Sequence, residues 1–157
     1  QELDLKLKYL LAPSMKGLQQ AIDLVNAAID QKFKMVIVGD YDADGATSTA
    51  LMILALREMG ANVEYLVPDR FKYGYGLTPK IADLAFERFQ PDLLITVDNG
   101  ISSHAGVETA QALGMQVILT DHHLTTKPTP SAEAVVNPNQ LGCDFPSKAL
   151  AGVGVAF

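Results

Sequence analysis

Met35-Val-Ile-Val-Gly-Asp-Tyr-Asp-Ala-Asp-Gly45 is a short, largely β-branched apolar run that breaks at a glycine and continues with aspartates at alternate positions. The run has the length of a buried strand, and a polar turn then leads into a helical stretch from Ala46 to Met59. The same alternation returns along the chain. Val63 to Val67, Leu93 to Val97, Gln116 to Leu119 and Ala134 to Val136 read as further strands, with Pro79 to Phe89 and His104 to Leu113 as intervening helices. Strands separated by helices at this rhythm form right-handed βαβ units, so the chain is predicted to be α/β, with a mostly parallel sheet of about five strands and helices on both faces. Pro79 suits the first turn of its helix, and Gly60 and Gly114 stand where a helix C-terminus wants a left-handed residue. Upstream, Leu18, Ile22, Val25 and Ile29 recur at helical spacing, so residues 18–32 read as an amphipathic helix. The division expected is an N-terminal helical segment over 1–34 and an α/β domain over 35–157.

Composition narrows the function classes. The chain has 157 residues, 48% hydrophobic and 19% charged, which suits one compact domain with a sizeable core. Its apolar runs fall well short of the roughly 18 to 20 residues needed to span a bilayer, so no membrane partner is expected. The N-terminus mixes Glu2, Asp4, Lys6 and Lys8 with leucines and shows no secretory signal. One cysteine, Cys143, leaves no partner for an internal disulfide, and a cytoplasmic location is the default. The run Ala151-Gly-Val-Gly-Val-Ala-Phe157 reads as the start of an element whose remainder is absent, so the chain is expected to be a fragment. A formal net charge of -6 argues against a bare nucleic-acid binder. Five acids at one site would account for most of it, and bound divalent cations would supply positive charge there.

Those acids lie in the loops after the first, third and fourth strands: Gly39-Asp-Tyr-Asp-Ala-Asp-Gly45, Asp98-Asn-Gly-Ile-Ser-Ser103 and Thr120-Asp-His-His123. In an open parallel sheet, ligands bind beyond the carboxyl ends of the strands, near the point where strand order reverses, so the three loops are expected to meet. Asp40, Asp42, Asp44, Asp98 and Asp121 crowded with His122 and His123 would repel one another unless a cation held them. Hard oxygen ligands with one or two imidazoles suit Mn²⁺ or Mg²⁺. An aspartate on the middle strand, Asp98, is the candidate bridge between two ions about 3.5 to 4 Å apart, the arrangement that activates water for phosphoester hydrolysis. Taken singly, Asp44 or Asp98 reads equally well as the N-cap of the next helix, but capping needs one acceptor per helix and does not call for a carboxylate cluster with adjacent histidines.

Other motifs fit less well. Asp40-x-Asp42-x-Asp44-Gly45 opens like an EF-hand loop, yet Leu51 stands where the bidentate Glu is required. A Walker loop needs Lys after its second glycine, and Ala46 follows Gly45. A phosphoryl-accepting receiver domain would want a Lys after the fifth strand, where Asn137-Pro-Asn139 stands. An aspartyl-phosphate phosphatase usually carries Thr or Val at the position of Ala46.

Asp-Tyr-Asp-Ala-Asp-Gly (40–45), Val-Asp-Asn-Gly-Ile-Ser-Ser (97–103) and Asp-His-His (121–123) resemble the first three motifs of the DHH phosphoesterase superfamily. Tyr65-Leu-Val-Pro-Asp-Arg-Phe71, Gly74-Tyr-Gly-Leu77, Val136-Asn-Pro-Asn139 and Phe145-Pro-Ser-Lys-x-Leu-Ala-Gly-Val-Gly-Val-Ala-Phe157 are similar to its bacterial branch of single-strand-specific 5′-to-3′ DNA exonucleases. The likeness runs from about Gly17 onward. It implies a Rossmann-like DHH domain and metal-dependent hydrolysis at the 5′ end of single-stranded DNA, in repair and recombination. It also implies Mn²⁺ or Mg²⁺, two ions in the full-length enzyme, and single-strand-binding protein and repair helicases as partners. By position, it makes Asp42, Asp44, Asp98 and His122 metal ligands and puts His123 near the scissile phosphate, with Asp40 and Asp121 supporting catalysis. Arg70 would grip a phosphate, against the alternative of a surface salt bridge to Asp69 or Glu87. Tyr75 would stack on a base or sugar, unless Gly-Tyr-Gly only turns the chain. Ser102 would meet phosphate, unless it and its neighbours only begin a helix. The superfamily's fourth motif and second domain are not seen in this sequence, so activity of the chain alone stays open. Two alternatives stand beside the exonuclease reading: a phosphodiesterase for short oligonucleotides or cyclic dinucleotides, and a non-catalytic binding module.

Overall fold

A computed structural model describes residues 12–157. The part of the N-terminal segment over 1–11 lies outside the described residues. The elements run α1 Leu18–Asp30, β1 Lys34–Val38, α2 Ala43–Glu58, β2 Asn62–Leu66, α3 Arg70–Tyr73, α4 Pro79–Phe89, β3 Leu93–Val97, α5 His104–Ala112, β4 Gln116–Thr120, β5 Ala134–Val136 and α6 Gly152–Ala156. All four strand pairings are parallel, in the order β2-β1-β3-β4-β5. From β1 the chain crosses to one side for β2 and to the other for β3, which creates a switch point between β1 and β3.

The pleat sorts each strand onto two faces. Met35 and Ile37 join Leu93, Ile95 and Val97 in one apolar layer, covered by Leu24, Val25, Ile53 and Leu56 of α1 and α2. Val36, Val38 and Leu94 face a second layer with Ile81, Ala85, Val107 and Ala110 of α4 and α5. Every residue of β3 is buried, as a central strand covered on both sides must be. Each such Leu or Ile contributes about 1.5–3 kcal/mol through burial, so this five-strand centre is a stiff base for the loops at its carboxyl edge.

Sequence spacing placed the start of α2 at Ala46, and the helix begins three residues earlier. Asp42 is its N-cap and accepts the Gly45 N–H at 2.9 Å, so Asp44 sits in the first turn of the helix. Two short helices, α3 and α6, form where the sequence signalled only loop and an unfinished run. Gly45 allows the early start because a Cβ there would stand 2.5 Å from the Asp40 carbonyl oxygen and 2.8 Å from its C and Cα. Those are backbone atoms that cannot yield. Gly45→Ala is therefore expected to destabilise the fold by about 1–3 kcal/mol, although alanine is the better helix former. A thermal melt of the variant at or above the wild-type midpoint would refute this.

Candidate metal centre

The register brings three turns to one edge. Val38 pairs with Thr96, and Val97 with Thr120. Asp40, Asp98 and Asp121 follow these pairs by one or two residues, so all three leave the sheet together at the switch point. Asp98, His122 and His123 offer ligand atoms that all lie within 4.8 Å of one another.

Asp98 is the centre of the group. It is only 3% exposed, its backbone has φ 61°, and its Oδ1 has no hydrogen-bond partner. His122 Nε2 stands 3.0 Å from that oxygen without the alignment of a hydrogen bond, and 3.6 Å from Asp44 Oδ2. A left-handed backbone costs a non-glycine residue on the order of 1 kcal/mol, and a buried carboxylate oxygen without a donor costs more. Burial, then the charge of Asp44, pushes the Asp98 carboxyl up to about 6, against the opposing pull of His122. A fold that accepts these costs at one residue is poised for a cation. Adjacent ligands of an octahedral ion with bonds of about 2.1 Å stand about 3 Å apart, so oxygen and imidazole donors at this separation fit Mn²⁺ or Mg²⁺.

The remaining acids divide by what they touch. Asp44 gives both oxygens to backbone amides of α6, Gly152 N at 2.7 Å and Val153 N at 2.8 Å. Asp42 is exposed and half used as the α2 cap, and it reaches the centre through its charge. Asp40 is buried and takes Arg70 Nη2 on both oxygens at 2.7 and 2.8 Å, so the partner of Arg70 is neither Asp69 nor Glu87. Asp69 instead caps α3 through Phe71 N. The Arg70 guanidinium lies 4.0 Å from the Tyr41 ring centroid and 5.5 Å from that of Tyr75, and its Nε is buried without a partner.

Asp121 is saturated. Its Oδ2 accepts Ile101 N, and its Oδ1 accepts the amides of His122 and His123 and meets His123 Nδ1 at 2.7 Å. The other nitrogen of His123 lies 3.3 Å from the Tyr75 hydroxyl. Burial pulls the His123 imidazole down, but the hydrogen bond and charge of Asp121 outweigh it, so His123 titrates above its ordinary value. Burial and the surrounding carboxylates also raise the Tyr75 phenol, which stays protonated. Gly74 and Gly76 have φ 86° and 74°, so the segment is a true chain reversal and yet aims its tyrosine at the centre. Ser102 is exposed in the turn before α5, and the hydroxyl in use there is that of Ser103, which accepts Leu77 N.

Residues 34–157 match the sequence profile of the DHH family, N-terminal domain. The chain belongs to the DHH family. The single-stranded-DNA-specific exonuclease RecJ of Escherichia coli (strain K12) is 53% identical over 159 residues, covering 100% of this chain and 27% of that protein. Its namesake in Bacillus subtilis (strain 168) is 47% identical over 143 residues, covering 91% of this chain and 18% of that protein. The chain thus spans about a quarter or less of the length of these relatives. Among solved structures, exonuclease RecJ bound to manganese superposes with a TM-score of 0.83 at 38% identity, covering 94% of this chain and 37% of that one.

The DHH centre also uses residues that sequence reasoning did not assign. Asn137 Nδ2 donates to the His123 carbonyl and Asn139 Nδ2 to the His122 carbonyl, so the Asn-Pro-Asn turn after β5 holds the histidine backbone. Asn99 Nδ2 ties the ends of β1 and β3 through the Val38 and Val97 carbonyls, while Thr96 Oγ1 donates to the Asn99 carbonyl. Carboxamides at strand ends are the signal that would have found them, because such turns leave carbonyls in need of donors. Among the described residues no helix is long and apolar enough to cross a membrane.

Proposed function

We propose that this DHH domain is the catalytic part of a longer chain that hydrolyses phosphodiesters from the 5′ end of single-stranded DNA, in the service of repair and recombination. The observation that carries the reading is the buried, undonated Asp98 Oδ1 faced at 3.0 Å by His122 Nε2. The kinship with single-stranded-DNA-specific exonucleases and with the manganese-bound structure supports the substrate and the metal.

Asp44, Asp98 and His122 would hold Mn²⁺ or Mg²⁺, with Asp42 beside them. Bound there, the metal supplies a water of lowered pKa and positive charge against phosphate oxygens. Arg70, oriented by Asp40 through Nη2 and flanked by two tyrosine rings, has Nη1 left to donate to a phosphate. The Tyr41 and Tyr75 rings, each about half exposed, offer faces to a base or sugar. His123 keeps a proton at Nδ1 toward Asp121, and as a cation it also donates from Nε2 to a phosphate oxygen. The net charge of -6 is consistent with this, since the strand is gripped at a few points rather than along a basic surface.

The test uses a chain of the relatives' full length carrying this domain, with Mn²⁺ and end-labelled substrates. Release of nucleotides from the 5′ end of long single strands, with duplexes spared, is expected. Cleavage of dinucleotides alone would move the assignment to an oligonucleotide or cyclic-dinucleotide phosphodiesterase, and failure to bind Mn²⁺ would reduce the domain to a binding module. Arg70→Lys keeps a cation beside Asp40 but loses the planar fork and the ring contacts. It is expected to raise KM on the order of tenfold with little change in kcat. An unchanged KM would remove Arg70 from substrate binding.

A further inference from the structure

We propose that Gly152 is a positioning residue for the metal centre: the first turn of α6 reaches Asp44 and Asp98 at a separation that only a residue without Cβ permits, and it sets both carboxylates for the ion. The inference rests on the metal reading above. The N-cap of α6, Ala151, provides no side-chain hydrogen bond, so the first amides of the helix need an acceptor from elsewhere. Asp44, more than 100 residues away in sequence, supplies it with both oxygens, to Gly152 N at 2.7 Å and Val153 N at 2.8 Å.

On the other side the same turn meets Asp98. A Cβ at Gly152 would stand 2.5 Å from Asp98 Oδ1 and 2.8 Å from its Cβ and Cγ. Asp98 has no easy retreat, being buried on a left-handed backbone at the end of the central strand. Its Oδ1, the atom nearest the missing methyl, is also the one with no hydrogen-bond donor. One turn of backbone therefore fastens one carboxylate and bounds the space of another, although the two come from different loops. Gly154, two residues on, is the contrast. The nearest atoms to a Cβ there all belong to the Leu150 side chain, at 2.7 Å from Cδ1 and 2.8 Å from Cγ, and a leucine side chain can turn aside where backbone and a buried carboxylate cannot.

The experiment compares Gly152→Ala with Gly154→Ala in the full chain, by calorimetric titration with Mn²⁺, the electron paramagnetic resonance of the bound ion, and thermal unfolding without metal. Both variants add one methyl to α6. Gly154→Ala is expected to bind Mn²⁺ as wild type does, and Gly152→Ala to bind it roughly tenfold or more weakly, with an altered resonance. Wild-type affinity in Gly152→Ala overturns the inference and leaves the metal reading intact. A wild type that takes up no Mn²⁺ overturns both. If Gly152→Ala does not fold, the double variant with Asp98→Gly decides: it folds if the collision with that carboxylate is the fault, and if it stays unfolded the inference fails.

Discussion

Asp98→Gly is expected to abolish Mn²⁺ binding and yet raise the melting temperature of the metal-free chain at pH 7. The loss of function is the simpler half, since removing a carboxylate that would ligate the ion should cost at least about 100-fold in cleavage by a full-length chain. The gain in stability follows from what Asp98 endures without a cation. Its carboxyl is pushed up to about 6 from an ordinary 3.8, first by burial and then by Asp44. Because the folded value lies above the unfolded one, the folded state binds the proton more tightly, and the stabilisation this brings is fully present only below the unfolded value. It is lost as pH rises from about 4 through about 6, so at pH 7 the ionised Asp98 costs about 2–3 kcal/mol. Glycine removes that charge and relieves a φ of 61°, while adding unfolded-state entropy of about 0.5–1 kcal/mol. The net gain is about 2 kcal/mol, or about 4–8 °C for a domain of this size. The gap should close on moving to pH 4. Equal melting temperatures at pH 7, or a gap that ignores pH, would mean that Asp98 is not held as a strained carboxylate.

This tension between stability and function is also why the sequence was readable where it was. The strands announce themselves because a sheet covered on both faces demands apolar residues on each, as in Leu93 to Val97, and a glycine or aspartate then ends the run. The joint recurrence of acids and histidines after three strands is legible for the opposite reason, since capping and pairing call for single acids, and so many crowded at one sheet edge repel one another unless they share a cation. What stayed hidden depends on contacts distant in sequence. Nothing near Asp44 signals that amides at Gly152 and Val153 will occupy it, and glycines in an apolar run look like flexibility rather than clearance. Arg70 shows the same limit in a short loop: Asp69 is its neighbour in sequence, but Asp69 turns to cap α3 and leaves Asp40, thirty residues back, to take the guanidinium. Spacing alone puts the start of α2 three residues late because Asp42, Asp44 and Gly45 carry weak helix propensity, and a single cap bond made inside the tertiary fold overrides it.

Asp121→Ala is expected to be strongly damaging although it removes no apolar contact of the core, lowering stability by about 3–5 kcal/mol. The side chain is 1% exposed, and its loss strands the amides of Ile101, His122 and His123 together with His123 Nδ1. Asp121→Asn is the milder change and reads the charge: it keeps the volume and the acceptor that faces the histidines, but it removes the charge and turns a donor toward Ile101 N. In wild type, His123 titrates above its usual range despite burial, on account of Asp121. A histidine raised in this way adds stability that is fully present below its unfolded value of about 6.5 and is lost as pH rises through the folded value. In Asp121→Asn that contribution goes, and burial, now unopposed by its strongest partner, should bring the imidazole below its wild-type value. Proton NMR of the His123 ring across pH 5 to 9 reads this directly. Cleavage by the full-length variant should fall at least about tenfold, with its optimum moved to lower pH, because fewer molecules would carry the cationic His123 that donates from Nε2. If the ring titrates in the variant as in wild type, then His123 owes its proton to something other than the 2.7 Å contact, and Asp121 serves the backbone alone.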